Sequence, residues 1–163
     1  MKRLTRIAVI FLLLGTIGAG EVMLLRQPRT APELNFHTLD GHPITPNMQR
    51  EKMLLVTFWA TSCGTCMAEM PELIRLYQDY REHGLEMVAV AMSYDPEPYV
   101  RTYAANNTLP FPVAIDRNGE LAGKLEVRAT PTSFLIDREG RIVQQTTGTL
   151  DFSSLRRLLD TST

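Results

Sequence analysis

The chain has 163 residues, of which 44% are hydrophobic and 21% charged. That is enough apolar material for one folded domain and too much for a disordered chain. The net charge is −1, and setting aside Lys2, Arg3 and Arg6 leaves the remainder more acidic still, which speaks against nucleic acid as a partner.

Lys2, Arg3 and Arg6 precede an apolar run over residues 7–20, interrupted by Glu21 and resumed over 22–25. This is the layout of an export signal or a single N-terminal anchor, and it is long enough to cross a bilayer, which takes about 20 residues. Positive residues stay on the cytoplasmic side, so the rest of the chain is expected in the periplasm or another extracytoplasmic space. Gly18-Ala19-Gly20 offers a small-residue cleavage site, but the reading adopted is an uncleaved membrane anchor over residues 1–25. No cysteine near its end provides for a lipid anchor. In an exported chain, two cysteines form either a disulfide or a reactive pair.

Residues 26–32 read as a polar, proline-containing linker, and the folded domain is expected over 33–163. Leu34-Asn35-Phe36 and Pro43-Ile44 flank Asp40-Gly41, a hairpin signal, and 46–50 suggest a short helical turn. Residues 53–59 (Met-Leu-Leu-Val-Thr-Phe-Trp) are almost continuously apolar, which predicts a strand buried on both faces. A helix follows from Cys63 to about His83, where Gly84 supplies a stop. Met67, Met70, Leu73, Ile74 and Tyr77 give it an apolar face, and Pro71 should kink it. A second buried strand is expected over 85–92. Asp95 then caps a helix whose first turn holds Pro96. A third strand over 111–115 leads through a turn at 116–119 to a short helix over 120–125. Strands over 132–137 and 141–147 form a hairpin, and a helix over 151–160 presents Phe152, Leu155, Leu158 and Leu159 on one side. Strand-helix-strand units imply right-handed parallel crossovers. The fold class is therefore α/β, a mixed sheet with helices on both faces.

Both cysteines fall where the first long strand turns into a helix. At the helix N-terminus, backbone N–H groups lack partners and the dipole is positive, so Cys63 is expected to be an exposed thiolate with a lowered pKa. Cys66, one turn in, is near enough for a disulfide and is expected to be the less accessible, resolving thiol. A disulfide across two intervening residues closes too small a loop to stabilise much, which shifts the weight towards chemistry. A structural zinc site would need about four ligands, and His37, His42 and His83 are scattered. A Cu(I) site using Cys63, Cys66 and Met67 or Met70 stays open as a non-enzymatic alternative, a metal-binding assembly factor.

The run Phe58-Trp59-Ala60-Thr61-Ser62-Cys63-Gly64-Thr65-Cys66-Met67-Ala68-Glu69-Met70-Pro71-Glu72-Leu73 resembles thioredoxin-like proteins, in particular the TlpA/ResA-type membrane-anchored thiol-disulfide oxidoreductases. Ala129-Thr130-Pro131-Thr132-Ser133-Phe134-Leu135-Ile136-Asp137 is similar to their second signature. The resemblance implies a thioredoxin-like fold with an N-terminal β-hairpin extension. Pro131 takes the place of their cis-proline, facing the cysteines, and Glu69 that of an active-site acid beside Cys66. Trp59, Ser62, Thr130 and Pro131 become substrate-binding residues, with the Thr130 main chain free to pair with an extended peptide. It further implies reduction of disulfides in exported proteins such as apocytochrome c, electrons from a membrane thiol transporter of the DsbD or CcdA kind, residence at a bacterial inner membrane, and no cofactor beyond the Cys63–Cys66 pair. A disulfide-donating oxidant or isomerase is the enzymatic alternative. Two positions depart from the pattern: Ser62 replaces the usual tryptophan before the first cysteine, and Thr57 replaces the buried aspartate of thioredoxin.

Overall fold

The computed structural model describes residues 29–44 and 52–162. The expected anchor over 1–25 and the turn over 46–50 lie outside those residues. The described chain runs β1 (Arg29–Thr30), β2 (Phe36–His37), β3 (Pro43–Ile44), β4 (Met53–Trp59), α1 (Gly64–Tyr80), β5 (Leu85–Ala91), α2 (Glu97–Asn106), β6 (Val113–Ile115), α3 (Glu120–Lys124), β7 (Thr132–Ile136), β8 (Arg141–Thr147) and α4 (Phe152–Ser162).

The main sheet has the order β1-β8-β7-β4-β5-β6. β4 pairs parallel with β5, and β5 with β6, whereas β7 runs antiparallel to both β4 and β8. β4 therefore lies inside the sheet, and all seven of its residues are buried. Successive side chains point to opposite faces. Met53, Leu55 and Trp59 join a core with Met70, Leu73, Leu155 and Leu159 beneath α1 and α4. Leu54, Val56 and Phe58 join Phe36, Leu121 and Leu125 on the other face. The α/β class, the mixed sheet and the helices on both faces thus follow from an apolar run that has no polar side.

Several boundaries differ from expectation for local physical reasons. Arg29 and Thr30, within the expected linker, form β1 against Ile142 and Arg141 of β8, satisfying backbone groups that would otherwise line an open edge. Helix α1 runs through Pro71 without interruption. A turn of 3₁₀ helix over Arg81–His83 then ends at Gly84, whose φ of 89° is left-handed and suits glycine. β6 begins at Val113 rather than 111, after a proline with no N–H to give the ladder. In α4, Leu155 and Leu159 are buried but Leu158 is 39% exposed: the spacing of four that joins 155 to 159 turns 158 away from the core.

Candidate active site

The site is built where β4 ends. After Trp59 the chain turns, with the Cys63 N–H donating to the Ala60 carbonyl at 3.0 Å, and enters α1. Cys63 is the N-cap, with extended backbone angles (φ −90°, ψ 103°), and its sulfur accepts the Cys66 N–H at 3.1 Å. A sulfur thus does what a serine or aspartate oxygen does at other helix starts. No acidic residue occupies the first turn of α1, so no nearby carboxylate on that turn offsets the positive end of the dipole. The two sulfurs are joined as a disulfide, with Cα atoms 5.2 Å apart. Cys63 is only partly buried, whereas Cys66 is 2% exposed. The pair is asymmetric in burial, with Cys66 shielded and Cys63 less so.

Glu69 lies one helical turn beyond Cys66 and is 4% exposed. One carboxyl oxygen accepts the Leu150 N–H at 2.6 Å, and the other, Oε2, is buried without a partner. Burial raises its pKa above the ordinary carboxylate value, and the Leu150 hydrogen bond opposes that only in part. One helical turn from the shielded cysteine, such a carboxyl can keep its proton to higher pH than an exposed one.

The second signature comes to the same place. The Thr130–Pro131 peptide bond is cis. The Pro131 carbonyl accepts the Gly148 N–H at 2.8 Å, which ties the loop to the end of β8. No described residue hydrogen-bonds the main-chain N–H or C=O of Thr130. Ser62 is exposed. Trp59, expected among the substrate-binding residues, is instead 1% exposed, and its ring packs on Tyr103 of α2 with centroids 5.3 Å apart. In the disulfide form its ring belongs to the core and not to the surface.

Thr57 and Ser133 sit opposite each other in the β4–β7 register. The Ser133 hydroxyl donates to that of Thr57 at 2.9 Å, both buried. Where thioredoxin carries an aspartate this chain has a pair of hydroxyls that do not titrate near neutral pH, which leaves Glu69 as the buried acid of α1.

Asp95 was expected to cap α2, but the N-cap is Pro96 and no side-chain bond caps that helix. Its carboxylate, 4% exposed, reaches across to the cysteine loop and accepts both the N–H and the hydroxyl of Thr61, each at 2.6 Å. The next residue back, Tyr94, is 60% exposed and places its hydroxyl 3.5 Å from that of Thr130. Sequence reading missed both roles. The usable signal was the place of Asp95 at the carboxyl end of a strand parallel to the cysteine-bearing one, where α/β sheets build their sites.

Comparison with known proteins agrees with this geometry. The profile of the Redoxin family matches residues 27–159. The chain is 33% identical over 162 residues to the thiol-disulfide oxidoreductase ResA of Geobacillus kaustophilus, covering 95% of this chain and 92% of that one. Among solved structures, StoA from Bacillus subtilis superposes with a TM-score of 0.68 at 26% identity, over 80% of this chain and 98% of that one. A thiol:disulfide interchange protein of the thioredoxin family from Chlorobium tepidum gives 0.75 at 25% identity, over 83% and 97%.

Proposed function

The chain belongs to the Redoxin family and is a thiol-disulfide oxidoreductase, and from that premise we propose that it works as a reductant of disulfides in exported proteins, apocytochrome c among them. The observation that carries the direction of attack is the asymmetry of the pair: Cys63 caps α1 at the surface, and Cys66 is 2% exposed.

In the dithiol form the Cys63 thiolate attacks one sulfur of a substrate disulfide. A mixed disulfide forms, and the first substrate sulfur leaves as a thiolate that takes up a proton. Cys66 then loses its proton and attacks the Cys63 sulfur, releasing the second substrate thiol and leaving the Cys63–Cys66 disulfide. Glu69 is positioned to exchange that proton with Cys66. Two electrons pass from the protein to the substrate. A dithiol donor restores them, and a membrane thiol transporter of the DsbD or CcdA kind fits a domain held outside the cytoplasm by residues 1–25. The Thr130 main chain holds the substrate as an added strand, with Pro131 and Ser62 beside the reactive sulfur.

Trapping tests this reading. Cys66→Ser cannot resolve, so it should accumulate substrate as a mixed disulfide on Cys63. Accumulation on Cys63→Ser in its place would reverse the two roles. A reduction potential near that of DsbA, about −120 mV, would overturn the reductive direction.

A further inference from the structure

Tyr94 and Asp95 between them touch both loops of the site. Asp95 points inward and grips Thr61, two residues before Cys63, through two hydrogen bonds. Tyr94, 60% exposed, meets Thr130, whose main chain has no hydrogen-bond partner among the described residues. One short loop, from the strand-helix segment between the two signatures, thus reaches both the cysteine loop and the Thr130 loop. The large hydrophobic side chains exposed among the described residues are Tyr94, Tyr99, Val143 and Leu158. Of these, Tyr94 is the one whose hydroxyl meets the Thr130 loop. An aromatic ring left in water beside an unpaired backbone has apolar area available to a ligand, and a hydroxyl to orient it. Next to Cys63, Ser62 is small and exposed, so apolar contact there has to come from elsewhere.

Resting on the thiol-disulfide reading above, we propose that Tyr94 determines specificity in the peptide groove. Its exposed ring receives an apolar side chain flanking the substrate cysteine, while the Thr130 main chain pairs with the extended backbone of that segment. The ligand is therefore an unfolded stretch of polypeptide with an apolar residue next to its disulfide-bonded cysteine. Asp95 acts as a positioning residue, because its grip on Thr61 holds the loop carrying Tyr94 at a set distance from Cys63.

The test uses two synthetic peptides, each with one cysteine in a mixed disulfide with glutathione, flanked on both sides by phenylalanine in one and by glycine in the other. Reduced full-length protein reacts with each in single turnovers, releasing peptide thiol and glutathione and forming the Cys63–Cys66 disulfide. The parent should prefer the phenylalanine peptide about fivefold, the scale of one aromatic contact. Tyr94→Phe keeps the ring and should keep the preference. Tyr94→Ala should bring the two rates within about twofold of each other. Tyr99→Ala, equally exposed and in the same segment, should behave as the parent. A preference that survives in Tyr94→Ala, that the parent lacks, or that Tyr99→Ala abolishes equally would overturn the proposal. A parent that reduces neither peptide would instead remove the thiol-disulfide reading on which it stands.

Discussion

Glu69→Gln isolates what the buried acid of α1 does. The parent carboxyl is 4% exposed, with one oxygen on the Leu150 N–H and the other unpartnered, and its pKa lies above the ordinary 4.5 because burial disfavours the charge. Below the unfolded-state value both states are protonated, and the neutral group's stabilisation is fully present. As pH rises, the unfolded chain loses its proton first. Unfolding then releases a proton, and stability falls until the folded-state pKa is passed. Each tenfold increase in proton affinity makes that loss about 1.4 kcal/mol. Glutamine keeps an oxygen for Leu150 and cannot titrate, so the slope disappears. Its amide NH₂, buried where Oε2 has no partner, costs about 1–3 kcal/mol at every pH. The variant should be less stable than the parent in acid, with the gap narrowing as pH rises. Urea unfolding of the disulfide form across a pH series, followed by the fluorescence of the single tryptophan, measures this. Stability curves that stay parallel would refute the account of a carboxyl whose charge is disfavoured by burial. In the reduced protein the same substitution should alter the pH dependence of thiol titration, and an unchanged thiol profile would remove Glu69 from proton transfer.

Other expectations follow from pairs of contacts. Thr57→Val alone leaves the buried Ser133 hydroxyl without its acceptor and should cost about 1–2 kcal/mol, whereas Thr57→Val with Ser133→Ala should be nearly neutral; a double-mutant cycle by urea denaturation reads the difference. Asp95→Ala frees two groups of Thr61 and should cost about 2 kcal/mol and slow disulfide reduction, with Asp95→Asn retaining part of both in the same assays. Leu155→Ala, at a residue 1% exposed, should lower stability by about 3 kcal/mol. Leu158→Ala, at a position 39% exposed, should cost well under half of that, about 1 kcal/mol or less, as read by the unfolding midpoint.

Local pattern was enough to read the parts that local physics decides. The apolar run of β4, the strand-to-helix turn at Cys63 and the glycine stop at Gly84 each depend on neighbours in sequence, and each appears as expected. The resemblance supplied Pro131 and Glu69, which no periodicity marks. What was not legible depends on partners far along the chain. Asp95 followed by proline has the composition of a helix cap, yet its carboxylate goes to a loop 34 residues away. Glu69 reads as a solvated helix residue until Leu150, 81 residues on, arrives over it. Trp59 sits in the motif that carries the chemistry, but a strand end covered by α2 buries its ring. Arg29 and Thr30 look like linker because a two-residue edge strand takes its stability from β8 rather than from its own side chains.

The bond from Glu69 to the Leu150 main chain has a consequence for the order in which this enzyme becomes competent. A chain made from its N-terminus presents Cys63 and Cys66 early, on a strand and helix that could already bring the sulfurs together. The residues proposed to act on them come late: Thr130 and Pro131, then Gly148, which ties their loop, then Leu150, which bonds to the acid. Until those last segments dock, Glu69 lacks the Leu150 N–H and the Thr130–Pro131 loop lacks its tie to Gly148. The short stretch from Gly148 to Leu150 thus completes contacts on two elements made well before it, the Thr130–Pro131 loop and α1.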